Sequence, residues 1–592
     1  MGRARRLPLW IPALAAAMAA LPFMAGSFTI SLVNEIGMAA LVVMGLVLLS
    51  GIGGVTSFGH AAFVGIAAYT TAWVNTELGL SPWIGLVLAL AMTAGSALVI
   101  GALTLRLGGH YLPLSTIAWG LSVPLLFGNM TMLGRHSGIS DIDPIALGGF
   151  DLMRPEFVFY LVWVLVAVTA LFCHNLLNAR MGRLIRAVRG GKILLASVGA
   201  DIFRVRLALF VFSALTAAVA GWLYAHANRF VSPAPFSLHA SIDYMFMMVV
   251  GGLGQLAGAL AGATIVIAMK SALQDVLPLV TQHAAQIQSV VFASLFILLL
   301  HHARGGFMAL AERFMQAGPA HGKAIEFPVE PLARRAMPER GTLLLSVENA
   351  VKRFKGLVAV NDVSFDVKAG EILAVIGPNG AGKSTMFNLL TGALDLSSGH
   401  VEFMGRDVTA MGQRQIALMG MARTFQHVKL RPQMNVLENV ALGAHARGNC
   451  GYLRGGLNLD GDEERQIMAE AALQISRIGL AGQEHELAGN IPLGTQRLIE
   501  IGRALAADPV LMILDEPAAG LRKPEKQALA ELLLKLRESG VTIMIVEHDM
   551  DFIMKLADRL VVMNFGHKLF EGRPEAARAD QHVRAAYLGN AA

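Results

Sequence analysis

The spacing of apolar residues divides the chain into two unlike halves. Over the first 300 residues, apolar runs of roughly 20 residues, the length that crosses the hydrocarbon of a bilayer, recur at 7–25, 35–50, 60–78, 83–105, 111–133, 157–177, 207–226, 244–271 and 286–300. From 342 onward the pattern changes to short apolar strands at 343–347, 372–376, 510–514, 542–546 and 559–563, separated by helical stretches. That alternation predicts an α/β domain with a parallel-rich sheet. Between the halves, residues 304–342 mix charges with Pro319, Pro328, Pro331 and Pro338 and show no sustained apolar period, so they are expected to be a linker. The expected domains are therefore 1–303 in the membrane, 304–342 as tether and 343–592 in water.

Topology follows from parity. Arg3, Arg5 and Arg6 precede the first run, a layout shared by secretory signal peptides and by first helices anchored inside; the spans that follow at once favour the helix. If the arginines and the soluble half lie on one side, the crossings must be even in number. Breaking the eighth run at Gly251-Gly252-Leu253-Gly254 gives about ten. This placement puts Arg106, Arg180, Arg183, Arg186, Arg189 and Lys192 inside and Asp141, Asp143, Asp151 and Glu156 outside, as the excess of Lys and Arg on cytoplasmic loops requires. Composition agrees: 55% of the 592 residues are hydrophobic, 15% are charged, and mean hydropathy is +0.56. The net charge of +6 sits beside apolar spans, which points to a membrane surface and not to nucleic acid. Two cysteines, Cys173 and Cys450, cannot build a disulfide framework.

The chemistry centres on Gly377-Pro378-Asn379-Gly380-Ala381-Gly382-Lys383-Ser384-Thr385, which follows the strand 372–376 and opens a helix. In that context the glycines let backbone N–H groups turn toward a polyphosphate, Lys383 reaches the outer phosphates, and Ser384 holds magnesium. Asp515-Glu516 ends a buried strand, where Asp515 suits magnesium and Glu516 suits the polarisation of a water. His548 follows the next strand. In the membrane half, the stretch 51–63 carries glycines, hydroxyls and His60 at bilayer depth, where irregular backbone must be buried in protein or line a cavity. His60 and His110 are expected to be buried, satisfied histidines.

The stretches Ser57-Phe58-Gly59-His60-Ala61-Ala62-Phe63, Leu105-Arg106-Leu107-Gly108-Gly109-His110-Tyr111, Ala227-Asn228-Arg229-Phe230-Val231-Ser232-Pro233 and Val249-Val250-Gly251-Gly252-Leu253-Gly254 resemble the permease of branched-chain amino acid ABC importers (LivM type). Residues 343–589 resemble the ATPase subunit of the same importers (LivG type). The resemblance implies that Phe354 stacks on adenine with Val360 nearby, that Gln426 senses magnesium and contacts the permease, and that Pro492-Leu493-Gly494-Thr495-Gln496 is the signature loop closing over a partner's ATP. In that loop the usual serine and glutamine are Pro492 and Thr495, and Arg522 stands where asparagine or aspartate is usual. The cytoplasmic loop with Arg189, Lys192, Leu195, Val198 and Gly199 is expected to be the coupling element, although the family's acidic residues are missing from it.

As a whole the resemblance implies ATP-driven import of hydrophobic amino acids across a bacterial inner membrane, with ATP and Mg2+ as cofactors. It also implies a second permease (LivH type), a second ATPase (LivF type) and a periplasmic binding protein as partners. Relatives carrying urea, amides or other small solutes, a homodimeric exporter and a membrane-anchored regulatory ATPase are the alternatives.

Overall fold

In the membrane half, apolar runs become helices, even where Pro124 and Pro278 lie inside them, and glycine-rich stretches become turns between them. The helices are α1 (Ser27–Leu46), α2 (His60–Thr76), α3 (Pro82–Thr104), α4 (Tyr111–Asn129), α5 (Pro155–Asn178), α6 (Arg180–Ala187), α7 (Gly191–Ser197), α8 (Ile202–Asn228), α9 (Leu238–Gly251), α10 (Leu256–Val280), α11 (Ala284–His302) and α12 (Gly306–Met315). This computed structural model describes residues 18–106, 111–147, 150–151, 155–280, 283–302, 305–315 and 329–588. Two compact units result, one of residues 1–176 with 203–318 and the other of residues 177–202 with 319–592. The short helices α6 and α7, expected in the membrane domain, thus belong to the second unit.

Among the described residues six helices are long and apolar enough to cross a bilayer, and two shorter apolar ones, 238–251 and 287–298, accompany them. The expected count of about ten crossings is not confirmed by these. The run 60–78 yields only the 17-residue α2, and the first expected run, 7–25, lies mostly outside the described residues. The break at the glycines does occur, between α9 and α10. In the first unit α1 is the central helix, with 78% of its apolar window buried against 28% for α3 and α5. The outer helices leave Val87, Met92, Leu114, Leu125, Val164 and Val168 exposed, the surface expected toward lipid.

After α1 the chain passes through a π-helical turn, Val47–Ile52, into irregular backbone up to α2. Polar groups there are met internally, as a low-dielectric setting demands. Ser50 Oγ donates to the Val55 carbonyl at 2.7 Å, and Phe58 N–H donates to Thr116 Oγ1 at 3.0 Å. His60, fully buried, has ring nitrogens 3.2 Å from Ser57 Oγ and 2.9 Å from Ser213 Oγ, so it is a satisfied core histidine. His110 lies outside the described residues.

The second unit holds two sheets. Strands β1 (Leu343–Phe354), β2 (Leu357–Lys368), β3 (Ile372–Ile376), β4 (Ser398–Phe403), β5 (Arg406–Asp407), β6 (Met421–Arg423), β7 (Leu511–Asp515), β8 (Thr542–Val546), β9 (Arg559–Asn564) and β10 (His567–Gly572) are arranged as β10-β9-β3-β8-β7-β6 and β2-β1-β4-β5. In the larger sheet β9, β3, β8, β7 and β6 run parallel and β10 runs antiparallel. The expected strand 343–347 belongs instead to the antiparallel sheet, where alternating burial lets one face stay wet. Strands β3, β7 and β8 are buried along their whole length, as parallel strands covered on both faces must be.

The expected linker is partly structured. Its start is α12, which packs on α9 and α10. Its end is strapped to the second unit: Arg447 donates to the Leu332 and Ala333 carbonyls at 3.0 Å, Asp508 accepts from Arg335 N–H, and Arg334 lies 3.6 Å from Asp508 and 3.7 Å from Glu470. The mixed charges that break any apolar period are the very groups that tie this segment down.

Close approach of α9 and α10 depends on Gly262, where a Cβ would stand 1.8 Å from the Met247 carbonyl oxygen. Gly262→Ala is expected to force the hairpin apart, at a cost of about 1–3 kcal/mol, and to lower the apparent Tm of the detergent-solubilised protein. Gly95→Ala, with nothing within 4 Å of the new Cβ, is expected to leave that Tm unchanged.

Candidate nucleotide site and coupling segment

The loop 377–382 runs from fully buried β3 to the helix Lys383–Leu390, α13. Gly382, the residue before α13, has φ +97°, and a Cβ there would lie 2.3 Å from the Ala359 carbonyl oxygen. Only glycine allows this entry. Lys383 Nζ donates to the Gly377 carbonyl at 2.7 Å and to the Pro378 carbonyl at 2.9 Å, so the ammonium is held at the loop's mouth. Burial pushes its pKa down, and the charges of Glu516 and Asp515 oppose that shift. Asn379, Gly380 and Ser384 are exposed along the outer side.

Asp515 ends β7 almost fully buried, and burial raises its carboxyl pKa against the pull of Arg423. Arg423 Nη2 is 3.5 Å from Asp515 Oδ2, while Nη1 donates to Asn388 Oδ1 at 2.7 Å, which ties the acid to α13. Asp515 Oδ1 is buried with no hydrogen-bond partner among the described residues. A buried, unpartnered carboxylate oxygen is the kind of atom a cation satisfies.

Glu516 follows in the left-handed region, φ +47°, a strained conformation for a side chain of this kind. Its N–H donates to the Val546 carbonyl at 2.9 Å, and its carbonyl accepts from Arg497 Nη1 at 2.5 Å. These bonds pin the backbone and leave the carboxylate free to face Gln426, whose Nε2 is 3.4 Å from Oε2. The structure thus brings Lys383, Asp515, Glu516 and Gln426 together.

Other expected residues fall differently. Phe354 is partly exposed, with Lys352 Nζ 5.3 Å from its ring centroid. Val360 is fully buried in the core between the sheets, so its side chain has no open face for a ligand. Pro492 precedes the helix Leu493–Ala506, α14; both Pro492 and Leu493 are exposed. Gln496 Nε2 donates back to the Ile491 carbonyl at 2.8 Å. Among the described residues no hydrogen bond joins side chains of 492–496 to the loop 377–385. His548 is open to solvent, with Nδ1 3.7 Å from Glu547 Oε2.

Glu547 escaped the sequence analysis. It is almost fully buried, accepts from Ala518 N–H at 2.7 Å and from His548 N–H at 3.1 Å, and so ties the turn after Glu516 to the turn bearing the histidine. Its place between a buried strand and His548 was the available signal.

The expected coupling loop is two helices seated on the rest of the second unit. From α6, Arg180 donates to the carbonyls of His445 at 2.5 Å, Gly448 at 2.7 Å and Cys450 at 2.5 Å. Arg183, almost fully buried, forks onto both oxygens of Glu464, and Arg186 Nη2 donates to Glu438 Oε1 at 2.7 Å. From α7, Leu194 and Leu195 are fully buried. Gln413 Nε2 donates to the Ile193 carbonyl at 3.2 Å, and Arg414 Nε donates to the Gly199 carbonyl at 2.9 Å. Val198 is buried, whereas Arg189 and Lys192 are exposed. In the sequence Arg180, Arg183 and Arg186 stand out only as inside charges, because partners 252 to 281 residues away leave no local trace.

Burial raises the Glu547 carboxyl pKa above its ordinary 4.5, with the backbone N–H groups pulling the other way. A raised acid pKa favours the folded state below the ordinary value, and that advantage is lost as pH rises through the raised one. Glu547→Gln is therefore expected to flatten the fall in stability of this unit on that rising limb, read by thermal melts across pH. Loss of the charged acceptor, about 1.5 kcal/mol, is expected to cut nucleotide turnover about tenfold, measured as phosphate release.

Comparison with known proteins completes the picture. The family described as "Branched-chain amino acid transport system / permease component" matches residues 13–300, the ABC transporter family matches 360–519, and the "Branched-chain amino acid ATP-binding cassette transporter" family matches 567–592. The high-affinity branched-chain amino acid transport ATP-binding protein LivG of Salmonella typhimurium is 41% identical over 251 residues, which are 42% of this chain and 98% of that protein. BraF of Pseudomonas aeruginosa, described in the same words, is 38% identical over the same shares. The crystal structure of a nucleotide-free ATP-binding cassette from an ABC transporter is 31% identical, covers 42% of this chain and 100% of its own, and has a TM-score of 0.38. The chain belongs to the branched-chain amino acid ABC transporter family and joins that family's permease domain to its transport-coupled ATPase cassette in one polypeptide.

Proposed function

We propose that the chain drives import of branched-chain, hydrophobic amino acids across a bacterial inner membrane, as half of a transporter completed by a LivH-type permease, a LivF-type ATPase and a periplasmic binding protein. The observation that carries this reading is the seating of α6 and α7: a segment lying between two spans of the permease sequence is built into the ATPase unit by three arginines and buried leucines. In this reading, motion of the cassette is passed along the chain that leaves α5 and enters α8. The names of the relatives support the solute class.

ATP is held by the backbone of 377–382 with Lys383, Ser384 and Thr385, and adenine is stacked on exposed Phe354. Ser384, Gln426 and the buried oxygen of Asp515 would hold Mg2+, which would supply neutralisation of phosphate charge. Glu516 orients the attacking water, and His548, fixed through Glu547, faces the outer phosphate. Pro492, Leu493, Gly494, Thr495 and Gln496 serve the partner's ATP. Lacking the signature serine, that second site hydrolyses more slowly.

Glu516→Gln is expected to abolish most ATP turnover in the assembled transporter while leaving ATP binding intact, and the pair Pro492→Ser with Thr495→Gln to raise turnover; full ATPase activity in Glu516→Gln would refute the assignment. Leu195→Pro or Val198→Pro is expected to leave ATP hydrolysis but lose binding-protein-dependent leucine uptake into proteoliposomes. Unchanged uptake in both removes the coupling role.

A further inference from the structure

Within the second unit, the strapped end of the linker helps to enclose a cavity of about 380 Å³, a size typical of small-molecule sites. Arg334, Arg335 and Arg477 line it together with a single carboxylate, Asp508, so the lining carries two positive charges in excess. Glu470, beside Arg334, does not cancel them, because Arg447 lies 3.4 Å from it on its own account. None of the three guanidiniums is held by a close carboxylate. Arg334 is 3.6 Å from Asp508 and 3.7 Å from Glu470, too far for hydrogen bonds, and its side chain is 45% exposed. Arg335 Nη2 donates to the Leu418 carbonyl at 3.2 Å, and Arg477 donates to Gln474 Oε1 at 3.2 Å and Ser539 Oγ at 3.1 Å, all neutral acceptors. Burial, and after it the nearby charge of Arg334, pushes the Arg477 pKa down, so an anion set between the two guanidiniums is favoured by both.

The rest of the lining includes Met337, Leu473, Leu505 and Val541. Guanidinium forks match the oxygens of phosphate-like and carboxylate groups, while these side chains offer hydrocarbon a dry wall. Inorganic phosphate would leave the apolar wall unused, and a monocarboxylate would leave one positive charge unmet.

The same cavity reaches the coupling segment through one residue. Arg335 also lines a second, smaller cavity of about 40 Å³, together with Leu418 and with Val198 and Gly199 at the end of α7. Leu418 is packed against that end: a Cβ at Gly199 would stand 2.9 Å from Leu418 Cδ2. Arg335, Leu418 and Gly199 are thus successive contacts between the larger cavity and the coupling segment.

We propose that the larger cavity binds a small organic dianion with an apolar body, and that its occupant lowers coupling by drawing the Arg335 guanidinium off Leu418. Only the effect on coupling rests on the import reading above; the binding site does not.

The test titrates the full complex calorimetrically with phenylphosphonate at pH 8, its phosphate loops filled by a non-hydrolysable ATP analogue. Saturable binding is expected, at least tenfold weaker for benzoate and for inorganic phosphate. Arg334→Gln and Arg477→Gln are each expected to weaken it at least tenfold, whereas Arg465→Gln, an exposed arginine on the same helix as Arg477, leaves it unchanged. In proteoliposomes, saturating phenylphosphonate on the cassette side is expected to lower leucine imported per ATP hydrolysed at least twofold. Leu418→Ala, outside the lining of the larger cavity, is expected to keep the binding and lose that effect. Absence of saturable binding, or binding that Arg477→Gln leaves at parent strength, overturns the site. Binding that leaves the parent ratio unchanged overturns the action on coupling. A complex that binds phenylphosphonate with the expected variant pattern yet imports no leucine removes the import reading and leaves the site standing.

Discussion

Three guanidinium groups on one short helix seat the segment 177–202 on the rest of the second unit. Arg180 and Arg183 are nearly inaccessible to water, and a charge in that position is tolerated only when its donors are met. Their terminal nitrogens are met by carbonyls at 445, 448 and 450 and by Glu464, and Arg186 meets Glu438, while the Nε atoms of all three have no hydrogen-bond partner among the described residues, that of Arg180 lying 3.5 Å from Glu463 Oε1. Removing one partner of such a pair strands the other, a loss of about 3–5 kcal/mol. The segment 177–202 is thus held on the cassette through directional partners, to which Gln413 and Arg414 add bonds at the Ile193 and Gly199 carbonyls.

The nucleotide site obeys the same rule of buried charge held by fixed partners. Asp515 and Glu547 sit under the open face of the site, each with its ordinary acidity weakened by burial, Asp515 tied through Arg423 to α13 and Glu547 to the turn after Glu516. Glu516 alone keeps an open carboxylate, and its strained backbone is pinned by Val546 and Arg497. Since Arg497 lies on α14, just after the signature residues, a shift of that helix bears directly on the backbone of Glu516.

Much of this was legible in the sequence because it is local. The loop 377–385 declares itself by its glycines and lysine, the acids 515–516 by their place after an apolar strand, and the break at 251–254 by its glycines. What was not legible depends on distant partners. Strand β1 reads like any apolar strand, and only its pairing with β2 and β4 assigns it to the antiparallel sheet. Residues 332–335 look like tether until Asp508 and Arg447 are placed beside them. Val360 was assigned by resemblance to the nucleotide, but alternation along β2 turns it into the core. The count of about ten spans is not confirmed: α2, at 17 residues, falls just short of the six longer apolar helices among the described residues.

The central claim is that the cassette drives the permease through the arginine-seated segment, and the most direct measure is leucine imported per ATP hydrolysed in proteoliposomes, for Arg183→Glu and for Arg183→Glu with Glu464→Arg. The account predicts that the single variant assembles, hydrolyses ATP and imports little, and that the exchanged pair recovers much of the parent ratio. A parent-like ratio in the single variant would contradict it.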